Sequence, residues 1–416
     1  MGSSATTLAS GAPNLGSQPV AHATSRGYNA AIGYLRGFLV ILVLAHHSAV
    51  AYFWGVPTSR APLLKVPMFW RAFPIVDPHA HSALLTLFIS FNDTFFMSLM
   101  FFVSGLFVWP SLVRKGNTPF LRNRFKRLGI PFLFAAAIVA PLAYYPSYLM
   151  AGGRGVAGYV HDWLSFGDWP TGPAWFIWLL LAFDLAAGAI FVFAPGFGDA
   201  LSELVENGRE HPVRLFAMFV VASMAAYVPM VAVFGPLAWV SIGPFQFQTA
   251  RLFHYAVYFL AGIGVGAYGI DRGLLAPDGK LARHWGRWTL AMLVIFVASI
   301  AFSLMAISQR SPLSPGTANV MGGFVFALTC GAISFAVLAL FVRLITRSNP
   351  IFDSLSDNEY GMYLIHYMFV SWLQMALLAI ALGPITKTIA VFSGVLLLSW
   401  GTSAGRRRAS AIRRIV

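Results

Sequence analysis

The sequence predicts an all-α integral membrane protein with about ten transmembrane helices and both termini in the cytoplasm. Three observations carry that prediction. Of 416 residues, 58% are hydrophobic and only 10% charged, whereas soluble domains carry about 25% charged residues. Apolar runs long enough to cross a hydrocarbon layer recur along the whole chain. Lys and Arg are also distributed unevenly between those runs. With the N-terminus inside, 20 lie in inner segments and seven in outer ones, and Arg36 sits at the inner edge. The positive-inside rule then sets the orientation, and an even number of spans returns the C-terminus to the same side.

Taken in order, residues 1–27 are rich in Ser, Ala, Thr and Gly, lack an apolar run, and read as a disordered N-terminal tail. Spans are expected near 32–54, 84–110, 130–150, 174–195, 213–234, 251–269, 286–308, 319–345, 360–382 and 384–404. Gly383-Pro384 marks the turn between the last two. A short or re-entrant extra piece fits Pro236–Phe247. Residues 28–405 therefore read as one membrane domain and 406–416 as a basic cytoplasmic tail. The setting is a lipid bilayer crossed many times, as in a multi-pass protein of a bacterial inner membrane. The net charge of +14 does not indicate nucleic acid, because the cations sit between apolar spans where they set topology. Cys330 is the single cysteine, so no disulfide and no cysteine-built zinc site can form. No internal repeat or matched pair of Gly/Pro-broken segments points to inverted transporter halves.

Candidate chemistry begins in the first span, AIGYLRGFLVILVLAHHSAVAYF. Arg36 and His47 are eleven positions apart, which is about three helical turns, so both leave one face roughly 16 Å apart along the axis. Ionisable residues inside a membrane helix are expensive and mark function by default. A long anionic molecule can lie along this face with phosphates at Arg36 and its reactive end at His47. His46 points about 100° away and does not share that face.

A second cluster, RKGNTPFLRNRFKRLGIPF, places six cations between Arg114 and Arg127. Topology alone accounts for about half of such loops. Here Arg124 and Arg127, three apart, face one way at the start of a span, where guanidinium forks suit nucleotide phosphates or anionic lipid headgroups. Ser104-Gly105 permits close approach of a helix or a ligand, and packing is the stronger reading. Trp175 and Trp178 read first as an aromatic belt, and Asp184 as a deeper acid without an obvious local partner. Tyr360, Tyr363 and His366 form a polar stripe, with His366 either a second base or an interhelical hydrogen-bonding group. Asp93 lies at a depth similar to His47 and could orient its imidazole, as second carboxylates do in triads. The loop histidines His79, His81 and His161 fit no metal-ligand spacing, and no metal is expected.

These residues resemble the membrane-bound acyltransferase 3 family, which includes glycan O-acyltransferases and relatives of glucan-succinylating enzymes. The likeness runs from Gly33 to about Trp400. It rests on Tyr34-Leu35-Arg36-Gly37 followed by His47, Phe101-Phe102-Val103-Ser104-Gly105, and the Arg124–Arg127 pair leading to Pro131. Trp175-Phe176 with Leu179-Leu180 and Tyr360-Gly361-Met362-Tyr363-Leu364-Ile365-His366 complete it. Each motif is weak alone, but five in family order are specific. The family's usual Asp near the first motif is Gly33 here, which removes an expected salt-bridge partner for Arg36.

The resemblance implies transfer of an acyl group, commonly acetyl, from acetyl-CoA or another cytoplasmic acyl-CoA to a hydroxyl of a carbohydrate or glycolipid acceptor. It makes Arg36 and His47 the catalytic pair and Arg124, Arg127 and Ser104 donor-binding candidates. Asp93, Trp175, Tyr363 and His366 are supporting candidates. A secondary transporter or lipid flippase using Arg36 and His47 in its substrate or proton path is the competing reading. Release of free thiol from acetyl-CoA separates the two.

Overall fold

The computed structural model describes residues 21–53, 75–165, 167–308 and 311–412. Apolar stretches become helices because in lipid every backbone N–H and C=O must bond within its own segment. The principal helices are α1 (Ala21–Ala49), α2 (Ala83–Gly105), α3 (Val108–Lys115), α4 (Asn117–Met150), α5 (Val156–Ser165), α6 (Trp175–Phe193) and α7 (Phe197–Val205). They continue with α8 (Pro212–Phe234), α9 (Leu252–Tyr268), α10 (Trp285–Ile307), α11 (Pro315–Leu344), α12 (Pro350–Leu377) and α13 (Pro384–Ile412). Side-chain oxygens of Ser82, Ser314 and Asn349 cap α2, α11 and α12, and proline opens the last two. Among the described residues, nine helices are long and apolar enough to span a membrane. The fold is that of an all-α membrane protein.

α12 is the tenth long helix, and its polarity follows from its position against α1, α13 and α4. Asp353 accepts from the Tyr34 hydroxyl, Asp357 pairs with Arg407, and Glu359 pairs with Arg36. Charges within a membrane helix are tolerated when they face the bundle and find partners. Contacts with α1 advance together along both helices, from Tyr34–Asp353 through Arg36–Glu359 and His47–His366 to Gln374 on the His47 and Ser48 carbonyls. The two helices are therefore parallel, as first and ninth spans must be. α13 returns along α12 and brings Arg407 to Asp357, so the end of α13 lies with the Arg36 end of α1.

α2 crosses α9 at glycines. A methyl on Gly105 would sit 2.2 Å from the Phe259 carbonyl oxygen, and one on Gly262 would sit 2.1 Å from that of Phe102. Small residues at such a crossing let backbones touch. α10 lies at the periphery, with only 6% of its apolar window buried, against 72% for α11 behind it.

Several boundaries differ from the sequence expectation. The third span begins at Asn117 instead of 130, because its cationic stretch is helical and continues through two π turns, Phe125–Gly129 and Ala135–Val139. The ninth helix starts at Pro350, ten residues early, since its polar first turns are satisfied by neighbours. The piece at Pro236–Phe247 is a β-hairpin, β1 (Trp239–Ile242) antiparallel to β2 (Phe245–Gln248). Of the expected tail 1–27, residues 1–20 lie outside the described residues, and α1 already begins at Ala21. The basic tail from Arg406 continues α13 as helix to Ile412, and 413–416 lie outside the described residues.

Candidate active site

Of the polar contacts that join α1 to α12 like rungs, two carry the candidate residues. At one, the Arg36 guanidinium donates to a Glu359 carboxylate oxygen. At the other, about three turns deeper, His47 Nδ1 lies 3.2 Å from His366 Nε2. Two backbone carbonyls determine where the protons sit, because a carbonyl oxygen only accepts. His366 Nδ1 is 2.6 Å from the Tyr363 carbonyl, so it carries hydrogen, and in the neutral ring Nε2 holds the lone pair. His47 Nδ1 is 3.0 Å from the Val43 carbonyl, so it also carries hydrogen and donates to both Val43 and His366. The basic nitrogen left on His47 is Nε2. Gln374 donates to the carbonyls of His47 and Ser48 at 3.0 and 3.2 Å, which ties down the end of α1 that carries this ring.

A cavity of about 630 Å³ opens at the Arg36 end, and seven cations line it: Arg36, Arg114, Lys115, Arg124, Lys126, Arg127 and Arg406. Among the described residues, two carboxylates, Asp184 and Glu359, face them there. The cations come from α1, α3, α4 and α13, which meet at this end of the bundle. The π turn Phe125–Gly129 sits where α4 presents Lys126 and Arg127, and the Tyr360 hydroxyl binds the Arg127 carbonyl at 2.6 Å. Such turns often accompany functional sites. The inner wall of the cavity is apolar, formed by Leu39, Val40, Val103, Phe176, Ile177 and Leu180, and it closes at Tyr363. The arrangement offers a phosphate-sized cluster of cations at its mouth and a dry wall leading toward the histidine rung.

The structure brings together Arg36, Arg124, Arg127, Ser104 and Tyr363 around the cavity, and His47 and His366 at the rung beyond it. Asp93 does not belong with His47. Its carboxylate takes both amino groups of buried Arg251, at 3.0 and 2.5 Å, because α9 places this arginine beside α2. The side chain beside the His47 imidazole is instead that of His366. Asp184 does have a partner, reached through tertiary contact: Arg124 Nε lies 3.3 Å away. That guanidinium also stands 5.0 Å over the Phe120 ring. Trp175 stacks on Tyr255 and meets Trp239 edge-on, and it does not line the cavity. Gly105 serves helix packing while Ser104 next to it lines the cavity. His46 stacks on Phe96, and its ring meets that of His47 edge-on at 5.4 Å. Among the described residues, no group of three or more His, Cys, Asp or Glu side chains is arranged to hold a metal.

Sequence reading missed Glu359, Gln374 and Arg406. Glu359 and His366 are seven residues apart, two turns of one face, the same kind of signal that drew Arg36 and His47 together. Arg406 gave no such signal, since it looked like part of a charge run. The sequence profile of a family described as an acyltransferase domain, acyltransferase 3, matches residues 29–404. No curated protein and no solved structure matches the chain.

Proposed function

The chain belongs to the acyltransferase 3 family, and from that premise we propose that this membrane acyltransferase moves an acyl group from a cytoplasmic coenzyme A thioester to a hydroxyl of a glycan or glycolipid. The observation that carries the donor assignment is the cavity with seven cations and two carboxylates at the Arg36 end. A coenzyme A thioester has clustered phosphates at one end and an uncharged arm leading to the reactive sulfur. Its phosphates suit Arg124, Arg127 and their neighbours. Its arm suits the apolar wall along α1, and the roughly 16 Å from Arg36 to His47 is comparable to the length of that arm.

His47 acts through Nε2. It takes the proton of the acceptor hydroxyl as the oxygen attacks the thioester carbonyl. The carbon–sulfur bond breaks, the sulfur leaves, and the imidazolium returns the proton to it as thiol. An acyl-imidazole formed first on the same nitrogen satisfies the same geometry. The positive charge that develops on His47 is shared through Nδ1–H with the Val43 carbonyl and His366 Nε2, in place of a carboxylate. His47 lies two residues from the far end of α1, which favours an acceptor arriving from the side opposite the donor.

Purified protein supplied with acetyl-CoA and a glycolipid acceptor should release free thiol. His47→Ala should lower that rate by about two to four decades, typical of losing a general base. Wild-type turnover in this variant rejects the role of His47, and a wild-type protein that releases no thiol rejects the donor.

A further inference from the structure

The seven cations that line the open cavity are of two kinds. Arg36 and Arg124 each meet a carboxylate: Glu359 accepts from the Arg36 guanidinium, and Asp184 lies 3.3 Å from Nε of Arg124. Both acids are buried, with 8% and 1% of their side-chain surface exposed, whereas the two arginines keep 49% and 22%. Oε2 of Glu359 and both oxygens of Asp184 have no hydrogen-bond partner, so the facing guanidinium is what balances each buried charge. Arg114, Lys115, Lys126, Arg127 and Arg406 are exposed, and none of them pairs with a carboxylate among the described residues.

We propose that Asp184 and Glu359 are positioning residues. They hold Arg124 and Arg36 as a fixed pair that grips the donor's diphosphate, while Arg114 and Lys115 meet its terminal phosphate. The inference rests on the donor reading above. A guanidinium has five N–H groups in a planar fork, so one edge serves a carboxylate while another serves a phosphate. Asp184 faces Nε of Arg124, which leaves both Nη groups to the cavity that this residue lines. The Phe120 ring, 5.0 Å from Cζ, braces the guanidinium from a second side. An unpaired cation on a long stem has rotamer freedom to lose on binding, and it supplies charge more than shape.

The order of residues along the cavity assigns the phosphates. Asp184, Leu180 and Ile177 share one face of α6, and the last two belong to the apolar wall. On α1, Leu39 and Val40 follow Arg36 toward His47 on the same wall. The held pair therefore sits where the cationic mouth gives way to the wall that suits the arm. Arg114 and Lys115 lie farther out. They end α3 just before Asn117, and a methyl on Gly188 would sit 2.7 Å from Oδ1 of that asparagine. Gly188 is one turn beyond Asp184 along α6, in the direction away from the wall. In a coenzyme A thioester the diphosphate adjoins the arm, and the phosphomonoester lies on the ribose at the far end. The diphosphate thus falls to Arg36 and Arg124, and the phosphomonoester to Arg114 and Lys115.

The sign of one effect separates a clamp from plain attraction. Removing an acid from an anion site tightens binding if charge alone counts, and loosens it if the acid holds the arginine that binds. The purified protein is assayed by thiol release with acetyl-CoA and with acetyl-dephospho-CoA, which lacks the phosphomonoester. Asp184→Asn, nearly isosteric, should raise the KM for both thioesters about tenfold and move kcat far less. Glu359→Gln should do the same. Arg114→Gln combined with Lys115→Gln should raise the KM for acetyl-CoA several-fold and leave that for the dephospho donor unchanged. A KM unmoved or lowered in Asp184→Asn, with thiol still released, would overturn the clamp and leave the donor reading intact. A rise confined to acetyl-CoA in that variant, or an equal rise for both donors in the Arg114 and Lys115 variant, would overturn the assignment of the phosphates. If Asp184→Asn does not fold, Glu359→Gln decides by the same outcomes. A wild-type protein that releases no thiol from either thioester would instead overturn the donor reading and the clamp with it.

Discussion

At the scale of single residues, the site depends on where two protons sit. The carbonyls of Tyr363 and Val43 hold hydrogen on the Nδ1 atoms of His366 and His47, which leaves Nε2 of His47 free to act as base. In the proposed mechanism His366 is therefore a positioning residue. His366→Ala should lower kcat about ten- to a hundredfold and leave the donor KM nearly unchanged; the loss stays below that of His47→Ala because Val43 still accepts from His47 Nδ1. His366→Gln offers an amide oxygen to the same N–H and should recover much of the rate. Equal loss in both variants would indicate a packing role. Arg36 admits a comparably sharp test. Arg36→Lys keeps the charge that directs insertion but loses the planar fork held by Glu359. Turnover should fall at least tenfold while an N-terminal tag keeps its sidedness. Full turnover with correct sidedness would reduce Arg36 to an interfacial anchor.

At the scale of elements, three helices do more than cross the membrane. α4 carries both π turns, Phe125–Gly129, which presents Lys126 and Arg127 to the cavity, and Ala135–Val139 farther along the helix. α2 presses its backbone onto α9 at Gly105 and Gly262, and this close approach places Ser104 on the cavity wall. α13 runs on past the bilayer-spanning stretch, so that Arg406 reaches the cavity and Arg407 pairs with Asp357. Arg406 thus lines the cavity proposed to take the donor, besides adding to the positive charge expected inside. Arg406→Gln should raise the KM for acetyl-CoA several-fold with little change in kcat. Arg408→Gln, at an exposed position off the cavity, serves as the comparison. Equal effects of the two would mean that only summed charge matters.

At the scale of the whole molecule, charge is sorted along the membrane normal. The open cavity concentrates cations at one end, whereas two cations farther along are each taken up by a carboxylate. Arg251 is paired with Asp93, and Lys387 with buried Asp77 at 2.6 Å. Ionic strength screens exposed charges far more than buried ones. The KM for acetyl-CoA should therefore rise several-fold between about 50 and 300 mM salt while kcat and thermal stability barely move. A KM independent of salt would mean that the cavity cations do not meet phosphates.

Much of this was legible in the chain because membrane insertion is governed by local properties. Hydrophobic length sets the spans, cation asymmetry sets the expected orientation, and an eleven-residue spacing puts Arg36 and His47 on one face whatever surrounds them. The break at Gly383-Pro384 is likewise a local property, and α12 and α13 do separate there. Partners were not legible, because a side chain's partner depends on which helices become neighbours. Asp93 lies at the right depth for His47, yet it belongs to Arg251 because α9 packs beside α2. His366 and Glu359 are 319 and 323 positions from the residues they meet, and only the parallel packing of α12 on α1 brings them there. The cavity that gathers Arg36, Arg124 and Arg406 has no sequence signature of its own. It is the space left where α1, α2, α4, α6 and α12 do not close on one another, and only the packed structure determines such a space.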